Sequence, residues 1–264
     1  MVVIITHELD ARYSYYVDIL RERGLSVIQH RVADTIKDYG AINRVVDMIL
    51  ERKSDYTLFM SVTSVKILVD ALRSRGIEPS IINDSRVVAV GPVTAEELLK
   101  NGIRVDLIPE RYSSYGLLDM FKNMEMDSCN GKSMLIPRSK EASSILADGL
   151  KSLGMLVYEE YIYRLVPVPD GWSSIVNSFV SNDVSAVIFT SSMIANIFID
   201  TLSHYMSNAS VIDALKNVIC IAIGPLTCQT LLAYDVDAYT ADEHTVEGAL
   251  KLLLSLLAYT DDTA

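Results

Sequence analysis

Short apolar runs alternate with longer amphipathic stretches over the whole 264-residue chain. The runs are rich in β-branched residues, as buried strands are, and they predict strands at 2–5, 26–30, 56–60, 87–90, 105–108, 133–136, 156–163, 186–190, 218–223 and 235–239. Between them apolar residues recur at helical spacing; in 139–153 one helix face carries Ala142, Leu146, Leu150 and Leu153. Strands and helices in alternation are typical of the α/β class with parallel sheets.

The ends of several predicted helices are marked by glycine. A glycine follows the last apolar position of a helical stretch at Gly24, Gly76, Gly102 and Gly154. Glycine is the residue most often found there because it adopts the left-handed C-cap conformation without strain. We therefore expect four left-handed helix ends at these positions.

The chain also repeats itself. The segment AVGPVTAEELLKNG at 89–102 is similar to AIGPLTCQTLLAYD at 222–235, and FMS at 59–61 is similar to FTS at 189–191. YSSYG at 112–116 corresponds to HTVEG at 244–248, and the N-terminal strand and helix resemble residues 135–157. The offset is about 130 residues throughout, too long for a solenoid. Two similar α/β domains with a cleft between them are the predicted outcome, because ligands favour such clefts.

The repeated segments are typical of helix N-termini that directly follow strands. Gly91-Pro92 and Gly224-Pro225 precede helical patterns, and proline suits the first helical position. Ser61 and Ser191 are candidate N-caps. Helix N-termini at the carboxyl ends of parallel strands bind anions through free N–H groups. Each could also be a plain cap, but two matched pairs favour anion recognition. The sequence has no dinucleotide-binding loop, P-loop or nucleophile elbow.

Charge and composition narrow the class of protein. A formal charge of −11 weighs against nucleic acid as a partner, and no apolar run is long enough for a membrane helix. The three cysteines form no C-x-x-C pair, and the four histidines have no metal-ligand spacing. With no signal peptide at the N-terminus, a cytoplasmic protein without a metal centre is expected.

Five pieces of sequence together resemble the uroporphyrinogen-III synthase family. They are FTS at 189–191, AIGPLT at 222–227, HTVEG at 244–248, LIPR at 135–138 and YIYRLVP at 161–167. The resemblance covers about residues 2–254. It implies two α/β domains with parallel sheets and flanking helices, joined by a two-stranded linker. One domain would comprise 1–34 and 168–264, the other 35–167.

The resemblance also implies an activity. Members of the family cyclise the linear tetrapyrrole hydroxymethylbilane to uroporphyrinogen III, with loss of water and inversion of ring D, and they need no cofactor or metal. The substrate carries eight carboxylates, which fits paired helix N-termini. A monomer with a transient contact to the preceding pathway enzyme is implied as well.

Residue roles follow from the match to the family's motifs. Tyr163 is the expected catalytic residue, donating a proton to the leaving hydroxyl, since a phenol stays protonated at neutral pH. Substrate binding is expected at Thr94, Thr227, Ser61, Ser191, Arg138, Gly91, Gly224, Thr63 and Ser192. The chain departs from the family at His7-Glu8, where Arg-Pro is common, so one expected cation is missing.

Two other classes of protein fit the residues less well. A non-catalytic two-domain sensor for an anionic small molecule would use the same helix starts without chemistry. A two-domain α/β sugar transferase would bind a nucleotide-sugar. Turnover of hydroxymethylbilane distinguishes the synthase from both.

Overall fold

The computed structural model describes residues 1–125 and 129–261. The chain divides into two compact units: Met1–Asp34 with Val166–Ala264 (unit 1), and Thr35–Leu165 (unit 2). Residues 262–264, the end of the predicted first domain, lie outside the described part. That the units are domains with the boundaries 34/35 and 167/168 stays a prediction.

Unit 1 is a five-stranded parallel sheet covered by helices. Its strands are β1 Val2–Ile5, β2 Ser26–Gln29, β8 Val184–Phe189, β9 Ile219–Ala222 and β10 Tyr239–Thr240, in the order β10-β9-β8-β1-β2. Its helices are α1 Ser14–Glu22, α7 Trp172–Val180, α8 Ser192–Leu202, α9 Asn208–Lys216, α10 Pro225–Ala233 and α11 Val246–Asp261.

Unit 2 repeats this architecture. Its strands are β3 Ala33–Lys37, β4 Tyr56–Phe59, β5 Arg86–Ala89, β6 Ser133–Ser139 and β7 Leu156–Pro167, in the order β3-β7-β6-β4-β5. Its helices are α2 Tyr39–Leu50, α3 Val62–Ser74, α4 Pro92–Lys100, α5 Ser114–Lys122 and α6 Ile145–Ser152. The pairs β4–β5, β4–β6 and β6–β7 are parallel, so the predicted α/β class is confirmed.

Helices cover both faces of each sheet, and successive strand residues point to opposite faces. In unit 2, Phe59 and Leu135 pack with α2, α3 and α4, whereas Leu58 and Met134 pack with α5 and α6. In unit 1 the helices α7 to α10 cover one face, and α1 and α11 cover the other. Burial on both faces explains why the strands read as continuous apolar runs.

The two sequence copies do not coincide with the two units. By strand order, β1 and β2 of unit 1 occupy the positions that β6 and β7 occupy in unit 2. The first βαβ segment of the chain therefore completes the sheet of the second copy. The unit boundaries fall inside β3, after Asp34, and inside β7, after Leu165.

The edge strand β3 is missing from the strands predicted by the apolar runs, and only the two-stranded linker implied by the resemblance suggested a strand here. It lies beside β7, with Asp38 N donating to the Ile162 carbonyl and Val168 N donating to the Val32 carbonyl, a pattern that makes the two strands antiparallel. The segment ADTIK has no apolar alternation, so its strand conformation depends on the hydrogen bonds that β7 supplies.

Three predicted elements are corrected. The strand predicted at 105–108 is a single bridge from Leu107 to Val88, because the Asp106 carboxylate takes the Val87 N–H that a longer ladder would use. The strand predicted at 235–239 begins only at Tyr239, since Asp235 has a left-handed φ of 61°.

The helix predicted at 139–153 spans Ile145–Ser152. The preceding strand continues to Ser139, and Glu141 then accepts hydrogen bonds from Ser139 Oγ and from Leu165 N at 3.1 Å. Because of this turn, the helix begins at Ile145 instead of at the predicted residue 139. The four predicted left-handed glycines are confirmed, with φ between 68° and 83°.

Candidate functional site

Three helices in each unit begin where a parallel strand or its continuation ends. In unit 2 the residues that precede them are Ser61, Gly91 and Ser113. In unit 1 the equivalent positions for the first two are Ser191 and Gly224, and α11 begins after Thr245. Because parallel strands all point the same way, the helix starts of one unit share the carboxyl edge of its sheet.

The serines are N-caps, as predicted. Ser61 Oγ accepts a hydrogen bond from Ser64 N and Ser191 Oγ from Ile194 N, each at 3.1 Å. Thr63 and Ser192 follow in the first turns and are half-buried. A cap satisfies only one of the four N–H groups that a helix start leaves unpaired, so others remain open.

The Gly-Pro helix starts are different because neither has a side-chain cap. Gly91 and Gly224 are extended N-caps, with φ of −172° and −171°, and proline takes the first helical position in both. Thr94 and Thr227 lie in the first turns and are 5% and 3% exposed. In the described part of the chain neither hydroxyl has a hydrogen-bond partner. Uncapped amides beside an unpaired hydroxyl can bind an anionic oxygen.

The glycines of these two segments have close side-chain neighbours. A Cβ on Gly91 would lie 3.1 Å from Cβ and Cγ of Tyr112, and one on Gly224 would lie 3.3 Å from Cγ of His244. Sequence reasoning did not place Tyr112 or His244 at the site. The signal was available, because both open the repeated segment YSSYG or HTVEG.

The third helix start of each unit was missed in the same way. Ser113 Oγ accepts from Gly116 N at 3.1 Å, and Thr245 Oγ1 accepts from Gly248 N at 3.0 Å. A Cβ on Gly116 would lie 1.9 Å from the Arg111 carbonyl oxygen. The glycine thus allows the preceding loop to fold tightly over the helix start.

The structure brings Tyr163 to the start of α3. The Tyr163 hydroxyl lies 3.1 Å from Ser61 Oγ, and its side chain is 4% exposed. Burial raises the pKa of the phenol, which stays protonated at neutral pH. Ser61 has one proton and two possible acceptors, Tyr163 at 3.1 Å and Ser64 Oγ at 3.2 Å. When Ser61 donates to the phenol oxygen, the Tyr163 proton is available to another acceptor.

Arg138 is buried at the end of β6. Its Nη1 donates to Glu159 Oε1 at 2.7 Å, and Nη2 donates to the Ser143 carbonyl at 3.0 Å. Among the described residues, its Nε has no hydrogen-bond partner. These contacts fix the end of β6 and the turn before α6. A contact with substrate stays a prediction.

The thiols have no evident role in this site. Cys129 and Cys220 are buried and Cys228 is half-buried. Burial raises the pKa of Cys220 to about 12, so this thiol is a poor nucleophile. Within the described residues, no helix has both the length and the apolar character needed to cross a bilayer.

Fold and helix starts define a class: an α/β protein with two similar parallel-sheet units, each presenting anion-suited helix N-termini at one edge. Comparison with known proteins then gives the family. The model of the family described as uroporphyrinogen-III synthase HemD matches residues 14–251. The chain belongs to the uroporphyrinogen-III synthase family, and the resemblance drawn from its motifs is confirmed.

Relatives and solved structures agree with this assignment. A protein of Methanothermobacter thermautotrophicus, provisionally named as a uroporphyrinogen-III synthase, is 30% identical over 203 residues, 75% of this chain and 77% of its own. An Archaeoglobus fulgidus protein with the same name is 26% identical over 76% of this chain and 79% of its own. A mutant uroporphyrinogen III synthase from Thermus thermophilus superposes with a TM-score of 0.73 at 17% identity, covering 98% of this chain and 99% of its own.

The Helicobacter pylori uroporphyrinogen-III synthetase superposes with a TM-score of 0.58 at 19% identity, covering 96% of this chain and 98% of its own. At these identities the two solved structures show the fold alone. The predicted two-unit α/β architecture is the fold of these proteins.

Proposed function

We propose that this chain is a uroporphyrinogen-III synthase, a lyase that cyclises hydroxymethylbilane to uroporphyrinogen III by eliminating water and inverting ring D. The observation that carries the proposal is the matched pair of uncapped helix starts at Gly91 and Gly224 in a chain of this family. A substrate with eight carboxylates needs several anion sites, and a chain with a charge of −11 must supply them locally.

The helix starts of both units are proposed to bind these carboxylates. Thr94 and Thr227 would each donate a hydroxyl hydrogen bond beside the uncapped amides of α4 and α10. The capped starts at Ser61 and Ser191 would add their remaining first-turn N–H groups, near Thr63 and Ser192. Binding of this kind holds the flexible chain of four pyrroles in the conformation that ring closure requires, and such positioning can contribute several kcal/mol to the rate.

Tyr163 is the proposed proton donor to the leaving hydroxyl. The C–O bond of the hydroxymethyl group breaks, the oxygen takes the phenol proton and leaves as water, and the adjoining pyrrole stabilises the cation. Ser61, 3.1 Å away, would donate to the phenolate oxygen as that proton departs. Stabilising the charge of a buried phenolate in this way lowers the cost of proton transfer.

The remaining steps are rearrangements of the bound tetrapyrrole. The substituted carbon of ring D attacks the cationic carbon to give a spiro intermediate, which breaks and closes again with the ring inverted. The ring carbon then loses a proton as the pyrrole becomes aromatic, and this proton restores the Tyr163 phenol. The balance is one substrate to one product and one water.

A coupled assay tests the proposal. Hydroxymethylbilane is generated enzymatically, and the uroporphyrin isomers are separated by chromatography after oxidation. We expect the type III isomer to predominate with the protein present and the spontaneous type I isomer without it. An unchanged isomer ratio, with tight binding of hydroxymethylbilane, would indicate the non-catalytic sensor instead.

The proposal extends to the state of the protein in the cell. We propose a cytoplasmic monomer whose domains are 1–34 with 168–264 and 35–167, in transient contact with the enzyme that supplies hydroxymethylbilane. Sedimentation velocity at micromolar concentration would give a mass near 29.3 kDa. A concentration-independent dimer would contradict it.

A further inference from the structure

A basic pocket lies at the amino edge of the unit 2 sheet, the edge opposite the helix starts. It is a cavity of about 490 Å³ beside Tyr56, Arg86 and Ser133, the first residues of β4, β5 and β6. Its volume lies in the range of small-molecule sites. The cations that line this amino-edge pocket are Arg52, Lys53, Arg86, Arg104 and Lys132. The carboxylates in its lining are those of Asp55 and Asp84.

Arg86 is the cation best placed for a ligand. Within the described residues no carboxylate oxygen lies within 4 Å of its guanidinium nitrogens. Its Nη1 donates to the Tyr56 hydroxyl at 3.2 Å, and its guanidinium lies 5.4 Å from the centroid of the Tyr56 ring. Tyr56 is 2% exposed and therefore fixed. A guanidinium held this way is oriented before any anion binds.

The other cations are in ion pairs: Arg104 Nε donates to the partly buried side chain of Asp106 at 2.8 Å, whereas the remaining cationic side chains are exposed. Lys132 lies 3.4 Å from Asp55, and Arg52 lies 3.0 Å from Asp84, with 44% and 73% of the cationic side chains exposed. Exposed ion pairs contribute little to the stability of a protein, so a ligand of higher charge can replace the carboxylate as the partner of the cation. The Ser54 hydroxyl also lines the pocket, and the described residues offer it no hydrogen-bond partner.

The second copy of the fold shows that these cations are not needed for folding. By the offsets of the repeat, the residues at the equivalent positions of unit 1 are Asn182, Asp183, Ile219, Asp237 and Met1. None of their side chains is a cation, yet the same sheet forms. The architecture of the sheet therefore does not account for five cations at one edge of one unit, in a chain with a charge of −11.

We propose that the amino-edge pocket binds a compact, multiply charged anion of the polyphosphate or polycarboxylate class. Arg86 would make the central contact because it is oriented and, among the described residues, has no carboxylate within ion-pair distance. Lys132 and Arg104 would add charge from the sides, and the Ser54 hydroxyl would donate a hydrogen bond. The site does not depend on the helix starts and would bind a ligand other than the carboxylates proposed there.

Isothermal titration calorimetry at low ionic strength tests the proposal, with inorganic tripolyphosphate and citrate as separate probes. We expect saturable binding of at least one probe with one site per chain, weakened by added salt. The stronger probe distinguishes phosphate from carboxylate recognition. The double variant Arg86→Gln/Lys132→Gln should bind at least tenfold more weakly.

Lys37→Gln/Arg75→Gln is the matched control, since it removes two ion-paired cations of unit 2 outside the pocket. It should change the affinity less than twofold. Thr94→Ala/Thr227→Ala should also retain binding, which separates this site from the helix starts. Circular dichroism checks that each variant folds. Equal weakening in both charge variants, loss of binding in the threonine variant, or no saturable binding of either probe would overturn the proposal.

Discussion

The two units share a fold and a set of helix starts, but they differ in the groups around those starts. Ser61 of unit 2 lies 3.1 Å from the Tyr163 hydroxyl. Its counterpart Ser191 caps α8 in the same way, yet the position of unit 1 that corresponds to Tyr163, by an offset of 130 residues, is Ala33, which has no hydroxyl. The helix N-termini that both units retain are suited to binding the substrate. The Tyr163 phenol, present in unit 2 alone of the two compared positions, is the group for which a catalytic role is proposed.

An ion pair beside the third helix start is reversed between the units. Arg111 pairs with Asp119 in unit 2. At the equivalent positions of unit 1, Glu243 lies 3.7 Å from Lys251. The pair is kept while its polarity changes, so the loop before the helix carries a positive residue in one unit and a negative one in the other.

Removing the phenol is expected to have the largest effect on activity. Tyr163→Phe should reduce kcat about 100-fold or more, because general acid catalysis contributes ~10²- to 10⁴-fold. KM should change little, and the circular dichroism spectrum should match that of the parent. Turnover within twofold of the parent would remove Tyr163 from the mechanism.

The tight third helix starts are the next most sensitive positions. Gly116→Ala and Gly248→Ala would each place a Cβ within 1.9 or 2.2 Å of a backbone carbonyl oxygen, and we expect each to lose about 3 kcal/mol in the free energy of unfolding. Urea denaturation gives the measurement. Gly40→Ala is the control, since its Cβ meets only side-chain atoms at 3.3 Å or more; a loss as large as that at Gly116 would show that the contact is not the cause.

The capping serines should differ from each other. Ser191→Ala removes a cap, worth about 1 kcal/mol, whereas Ser61→Ala also removes the partner of Tyr163 and should lose about 2 kcal/mol. Only Ser61→Ala should lower kcat. Thermal unfolding and turnover of the two variants, measured side by side, would show equal effects if the Ser61–Tyr163 contact had no function.

The threonines are expected to have the smallest effect and to behave alike. Thr94→Ala and Thr227→Ala should each raise KM about fivefold and lower kcat less than about twofold, because each threonine is only one of several contacts that position the substrate. Steady-state kinetics check this. Serine at either position should restore KM, because it keeps the hydroxyl; failure of that rescue would assign the effect to lost packing of the methyl group.

Much of the fold could be predicted because its signals are local. The strand Val2–Ile5 has the predicted bounds, and the caps at Ser61 and Ser191 depend on residues within three positions of each serine. The predicted strand at 105–108 failed for a reason outside its own sequence, since Asp106 bonds to a residue 19 positions earlier. Contacts of that range cannot be deduced from periodicity.

The sequence by itself determined the α/β class, the repeat, the helix starts at Gly91 and Gly224 and the family, because these depend on short patterns in a fixed order. Only the tertiary structure decided that Tyr163 meets Ser61, that Arg138 is buried against Glu159, and that five scattered cations converge on one pocket. These residues lie up to about a hundred positions apart in the chain. Their proximity is set by how the strands are ordered in the sheet, which hydrophobic packing of the whole unit determines.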